Sequence, residues 1–185
     1  MERKTVSIFG SSRPAPGEPE YRQAYELGKA LAQAGFTVCN GGYGGIMEAS
    51  ARGAKEAGGS TVGVTVSIFS RAANQWIDQE IRMPSLMERL TKLMELGDAY
   101  LILKGGTGTL LELAAVWEFI NKGLMKQKPI IVVGDFWKQV IETLRQEQLW
   151  EGLGDCTKFI QLVQTPEECV AFLKLEREKE ERDRR

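Results

Sequence analysis

Three glycine-rich turns hold the residues of this chain best placed to do chemistry. They are Gly10-Ser11-Ser12, Gly41-Gly42-Tyr43-Gly44-Gly45 and Gly105-Gly106-Thr107-Gly108-Thr109. Glycine lets a backbone come close to an anion. The third turn opens a helical stretch at about Gly108 or Thr109, whose free N–H groups and positive dipole end favour phosphate. Thr107 and Thr109 add hydroxyl donors. The spacing is not a Walker A loop, because Gly-Lys-Ser/Thr is absent. Nor is it the dinucleotide fingerprint, which belongs after the first strand, where Gly10-Ser11-Ser12-Arg13-Pro14 stands. One glycine turn alone is equally well a tight strand-to-helix junction. Three in a row along one sheet edge favour a ligand, with Gly10, Ser11, Gly42, Gly44, Gly105, Gly106, Thr107, Gly108 and Thr109 as candidate phosphate- and substrate-binding residues.

Two charged residues stand out beside these turns. Glu112 falls in the first turn of the helix after the third loop, where the dipole favours a carboxylate and where a bound phosphate ester would lie close. Arg89 lies on the preceding helix, in Met87-Glu88-Arg89-Leu90-Thr91-Lys92, and its planar fork suits phosphate. It is equally well a surface charge paired with Glu88 or Glu95, and Lys92 shares its helix face. The chain has no histidine. That excludes a Ser-His-Asp triad, a Cys-His pair and a His-ligated metal, and leaves acid–base work to Glu, Asp, Lys, Tyr or Cys. Cys39, Cys156 and Cys169 are odd in number and widely spaced, which fits buried thiols rather than a disulfide framework or zinc site. No metal and no cofactor is implied.

The elements that must position these residues alternate along the chain. Strand-like runs are Thr5–Phe9, Thr37–Cys39, Thr61–Val66, Ala99–Leu103, Pro129–Val133 and, more weakly, Phe159–Val163. Helical periodicity marks Tyr21–Ala34, Gly45–Ala57, Ser85–Leu96, Thr109–Lys122, Phe136–Gln146 and Pro166–Glu178, the last opened by a capping box at Thr165-Pro166-Glu167-Glu168. Short apolar strands bounded by Gly and separated by helices predict an α/β, Rossmann-like, doubly wound and mostly parallel sheet with helices on both faces. In such a sheet ligands bind beyond the carboxyl ends of the strands, where all three glycine turns fall.

The 185 residues fit one domain, here 1–173, followed by a charged tail, 174–185, with eleven charged residues in twelve and mixed signs. That tail reads as a fraying, solvated helix end. Lys plus Arg is 24 and Asp plus Glu is 25, a net charge of -1. The balance argues against nucleic acid or an anionic membrane as partner. No apolar run reaches the roughly 18 residues a membrane span needs, and Met1-Glu2-Arg3-Lys4-Thr5 has no signal-peptide layout, so the chain reads as cytoplasmic. The Thr109–Lys122 helix is apolar nearly all round, through Leu110, Leu111, Leu113, Val116, Trp117, Phe119 and Ile120. Such a helix is buried on every side, in the core of one subunit or at a homodimer interface.

The motifs resemble those of the LOG ("Lonely Guy") family, long labelled lysine decarboxylase-like. Leu103-Lys104-Gly105-Gly106-Thr107-Gly108-Thr109-Leu110-Leu111-Glu112 resembles its PGGxGTxxE signature. Gly41–Ala49 with Arg52-Gly53-Ala54 resembles its GGxxGLMxxxxxGA segment. Met87-Glu88-Arg89 and Asp98-Ala99 fall where the family has M-x-x-R-K and (S/A)DA. The resemblance runs from about Val6 to Leu144. It implies a Rossmann-like homodimer that hydrolyses the N-glycosidic bond of a nucleoside 5′-monophosphate, of AMP or cytokinin riboside type, to free base and ribose 5-phosphate. It maps the catalytic Arg and Glu onto Arg89 and Glu112. Lys104, Leu111, Leu90 and Glu48 depart from the pattern, standing where the family has Pro, Glu, Lys and frequently Gly. The Gly41–Gly59 stretch also resembles molybdenum-cofactor carrier proteins, so a non-catalytic nucleotide or pterin carrier is the alternative. A relative of the superfamily's single-strand DNA-processing proteins is disfavoured by the net charge. Pyridoxal-phosphate decarboxylation is disfavoured by the absence of histidine.

Overall fold

The computed structural model describes residues 4–183. The chain ends named above, Met1–Arg3 and Arg184–Arg185, lie outside the described residues. Among the described residues, seven strands form one sheet: β1 (Thr5–Phe9), β2 (Thr37–Asn40), β3 (Thr61–Val66), β4 (Gln79–Met83), β5 (Ala99–Ile102), β6 (Ile130–Val133) and β7 (Ile160–Val163). Their order is β4-β3-β2-β1-β5-β6-β7, and every pairing is parallel. The expected α/β sheet is therefore present and parallel throughout.

β4 is a strand that sequence patterning does not reveal. Its residues, Gln-Glu-Ile-Arg-Met, are mostly exposed, as suits an edge strand with no apolar run to mark it. It is joined to β3 by residues 67–78, with no helix between. β7 is shorter than expected, because Cys156–Phe159 forms a 3₁₀ turn first.

Among the described residues, six helices cover the two faces. α1 (Pro19–Gln33), α2 (Ile46–Glu56) and α6 (Pro166–Asp183) pack on one, burying Leu27, Leu31, Ile46, Ala49, Cys169 and Leu173 against Val6, Ile8, Leu101 and Val133. α3 (Leu86–Leu96), α4 (Thr107–Asn121) and α5 (Lys138–Trp150) cover the other. There Leu90, Leu93, Leu113, Val116, Trp117 and Ile141 meet Phe9, Tyr100, Ile102 and Val132. Alternate residues of a central strand thus feed opposite cores, the pleat that the uninterrupted apolar runs imply. α1 and α2 cross in close contact: a Cβ on Gly28 would overlap the Ser50 backbone, and one on Gly53 the Tyr25 backbone.

The charged C-terminal segment is not separate from the last helix. α6 continues through it to Asp183, past the expected end at Glu178, and Glu180 accepts a 2.7 Å hydrogen bond from Lys4 at the start of β1. The Thr165 hydroxyl accepts from the Glu168 N–H at 3.2 Å, as the capping box requires. The reciprocal bond shifts by one residue, with Glu168 Oε2 accepting from the Gln164 N–H at 2.6 Å. Burial pushes the thiols of Cys39 and Cys169 up to about 12. At that value they are protonated and unreactive at neutral pH.

Candidate active site at the carboxyl edge of the sheet

β1, β2 and β5 end side by side, so the glycine turns that follow them meet. The Ser11 N–H donates to the Lys104 carbonyl at 3.0 Å, and the Ile46 N–H donates to the Ser11 carbonyl at 2.9 Å. The Gly10-Ser11-Ser12 turn is therefore wedged between the other two. Gly10 packs against Ile46, and Gly44 lies beside the Ser12 carbonyl.

The third turn differs from expectation in one respect. α4 begins at Thr107, with Gly106 as its cap residue, and no side chain caps it. The first N–H groups of α4 are left for another acceptor, which is what an anion needs. A Cβ on Gly106 or Gly108 would meet nothing within 4 Å, so both line open space. Thr107 is exposed there. Thr109 is buried, with its side chain packed beneath Gly105, where it shapes the loop. The early helix start also moves Glu112 into the second turn of α4, which has no acidic residue in its first. The dipole is thus a smaller influence on Glu112 than its first-turn placement would give.

Packing governs Glu112 instead. Its carboxylate lies 3.8 Å from Arg89 Nη1, and both side chains are largely buried. Burial pushes the Glu112 carboxyl up to about 7, against the opposing pull of Arg89. Desolvation wins because one cation at 3.8 Å, outside hydrogen-bond range, does not replace a full hydration shell. Arg89 itself is held from three sides. Its Nε donates to the Val64 carbonyl at 2.7 Å, its guanidinium lies 5.8 Å from the Tyr43 ring centre, and Gly41 backs it so closely that a Cβ there would overlap Nη2. Neither Glu88 nor Glu95 is its partner. Glu88 accepts a 2.5 Å hydrogen bond from the Ser85 hydroxyl at the start of α3, and Glu95 pairs with Lys92 at 3.3 Å.

The sequence pattern marks the Gly41–Gly45 turn but gives neither Gly41 nor Tyr43 as a candidate binding residue, though an aromatic inside a five-residue glycine turn was a usable signal. The Tyr43 hydroxyl accepts from the Val66 N–H at 2.9 Å. Asn74, on the β3–β4 connection, donates from its side-chain Nδ2 to the carbonyls of Gly42 (3.1 Å) and Tyr43 (2.8 Å). Gly42, buried with φ +77°, faces Thr65 and Gly63 of β3 rather than the open space. The departures from the signature also find places. Leu90 is a core residue, 6% exposed, so a lysine there would have to bury its ammonium. Leu111 is 53% exposed. Lys104 pairs with Glu20 at 2.6 Å.

A parallel, doubly wound sheet, with an uncapped helix N-terminus and a largely buried Arg–Glu pair at its carboxyl edge, defines a Rossmann-like α/β protein. The SLOG cluster4 family model matches residues 3–168, and the chain belongs to that family. It is similar to a cytokinin riboside 5′-monophosphate phosphoribohydrolase of Mycobacterium tuberculosis, 35% identical over 136 residues, 72% of this chain and 71% of the relative. An uncharacterized protein of Archaeoglobus fulgidus is 33% identical over 137 residues, 72% of this chain and 87% of the relative. Among solved structures, the molybdenum cofactor binding protein of Rippkaea orientalis superposes with a TM-score of 0.74 at 25% identity, covering 94% of this chain and 97% of the other.

Proposed function

We propose that the protein is a phosphoribohydrolase that cleaves the N-glycosidic bond of a nucleoside 5′-monophosphate. The observation that carries this is the largely buried Arg89–Glu112 pair, Arg89 reaching from α3 to Glu112 on α4, the helix whose uncapped N-terminus opens at Gly106 and Gly108. The 5′-phosphate accepts from the first N–H groups of α4, which fixes the ribose toward Glu112. As the C1′–N bond breaks, its electron pair leaves with the base and positive charge develops on the sugar. Ionised Glu112 stabilises that charge and takes a proton from the water that adds to C1′; the proton passes to the departing base. Arg89 keeps Glu112 from being wholly neutral at pH 7. Relatives named for this reaction, 30% or more identical over about 72% of this chain, support the reading.

The test is release of adenine and ribose 5-phosphate from AMP. Glu112→Gln should lower turnover on the order of 10²-fold or more with AMP affinity nearly intact. Turnover should rise with pH through about 7 as Glu112 ionises, and the variant should lose that step. Undiminished turnover in Glu112→Gln would remove Glu112 from the mechanism. A second reading, a non-catalytic carrier of a nucleotide or pterin, is supported by the likeness to a molybdenum cofactor binding protein along nearly the whole chain. No base released from any ribonucleoside monophosphate, with binding retained, would favour it.

We propose further that the protein is a homodimer joined along α4. Leu111 (53% exposed) and Phe119 (44%) leave that helix an uncovered apolar flank within one chain. Light scattering that shows only a 20.6 kDa species at micromolar concentration would count against it.

A further inference from the structure

The contact between Arg89 and Glu112 leaves Arg89 to be placed by other groups. At 3.8 Å it is too long for a hydrogen bond, so Glu112 does not itself fix the guanidinium. What fixes it is the Val64 carbonyl of β3, the Tyr43 ring and the backing of Gly41. Tyr43 in turn has little hold of its own. Glycine stands on both sides of it, with Gly42 at φ +77° and Gly45 at φ +67°, and a residue flanked by glycines keeps its place only where it is tethered. Two tethers reach it, one from β3 and one from the connection that leaves β3. The Tyr43 hydroxyl accepts from the Val66 N–H at 2.9 Å. Asn74 Nδ2 donates to the carbonyls of Gly42 (3.1 Å) and Tyr43 (2.8 Å), and the Asn74 backbone N–H adds a 2.7 Å bond to the Gly42 carbonyl. Asn74 Oδ1 accepts from the Trp76 N–H at 3.0 Å, so the whole amide is engaged.

We infer that Asn74 is a positioning residue of this site: it anchors the backbone of Tyr43, so that Tyr43 holds Arg89 against Glu112. Its bearing on catalysis rests on the reading of Arg89 and Glu112 as the working pair. Among the described residues Arg89 is the charge that acts on Glu112, and Cys39, which lies near Arg89 on β2, is protonated at neutral pH. The ionisation of Glu112 therefore reports where Arg89 stands. A guanidinium that drifts away pulls less on the carboxylate, and the carboxyl keeps its proton to higher pH.

The experiment follows the Glu112 carboxyl by carbon NMR titration of the folded full chain, without substrate. Wild type should titrate at about 7. Asn74→Ala should raise that midpoint by about half a pH unit or more, and the pH profile of its AMP turnover should move with it. In an Arg89→Met background the Asn74 exchange should move nothing, because the charge it positions is gone. Asn74→Ser, which can still accept from the Trp76 N–H, gives the same readout where Asn74→Ala does not fold. An unmoved midpoint in the folded Asn74 variant, or a shift that persists without Arg89, would overturn the positioning role. The titration needs no turnover, so the two readings fail separately. The expected shift in a protein that releases no adenine from AMP would keep Asn74 as the anchor and overturn the hydrolase reading alone.

Discussion

The two longer glycine turns have similar composition and opposite purposes. In Gly41–Gly45 the glycines are needed because the protein itself fills the space: Arg89 behind Gly41, Thr65 over Gly42, and the Ser11–Ser12 backbone against Gly45. In Gly105–Thr109 only Gly105 is crowded, and Gly106 and Gly108 face nothing. The first turn is a packed support that aims Arg89 at Glu112. The second is an open rim, the place where the proposed phosphate would bind. A glycine's function is thus set by what stands where its side chain would be, which composition does not reveal.

The largest effect should come from Gly45→Ala. Gly45 has φ +67°, and its Cβ would overlap Ser11. Positive-φ strain and backbone overlap together should cost about 3 kcal/mol or more, whereas Gly106→Ala should stay within about 0.5 kcal/mol of wild type. Denaturant unfolding measures both. A Gly45→Ala protein as stable as Gly106→Ala would erase the distinction between the turns.

Second in size is the pH dependence of stability. The ordinary Glu value is 4.5, and burial raises Glu112 to about 7 in the folded chain. Below 4.5 the group is neutral folded and unfolded, and its burial carries no charge penalty. Between 4.5 and 7 only the unfolded chain ionises it, so its contribution falls as pH rises, by on the order of 3 kcal/mol once above 7. Glu112→Gln should therefore gain on wild type as pH rises across this window. An identical pH profile for the two proteins would mean that Glu112 is solvated, and that the packed side of the site is looser than its contacts indicate.

Much of this was legible in the sequence. Six of the seven strands are short runs that the sequence marks, four of them (β1, β2, β5 and β6) closely followed by glycine, and the turns after β1, β2 and β5 had to fall on one edge once the sheet was parallel. β4 was not legible, because an exposed edge strand of Gln, Glu and Arg has no pattern to read. The start of α4 was placed two residues late, because Gly106 caps it without a side-chain signal. Arg89 and Glu112 could be named, but not their pairing. That depends on Val64, Tyr43 and Gly41 converging from β3 and the β2–α2 turn.

The third expectation concerns the open turn. Gly106→Val should leave unfolding nearly unchanged, because nothing lies within 4 Å of the position its Cβ would take. It should weaken AMP binding about tenfold or more, by occupying the space the phosphate needs. Calorimetry beside a melting curve separates the two. Unchanged AMP affinity would show that the phosphate binds elsewhere on the edge.

The smallest effect on the chain itself should come from Leu111→Glu, which restores the signature carboxylate one residue before Glu112. Leu111 and Glu112 are neighbours in sequence and opposites in setting. Glu112 is largely buried against Arg89, and Leu111 is more than half exposed. A surface exchange of this kind is worth no more than about 0.5 kcal/mol, so the unfolding midpoint of dilute protein should not move. If α4 is the dimer seam, the same exchange places two like charges across a two-fold axis and removes apolar contact from both partners. Sedimentation should then show wild type as dimer and Leu111→Glu shifted toward monomer. A variant that associates as strongly as wild type would place the interface away from Leu111, and the open flank of α4 would need another occupant.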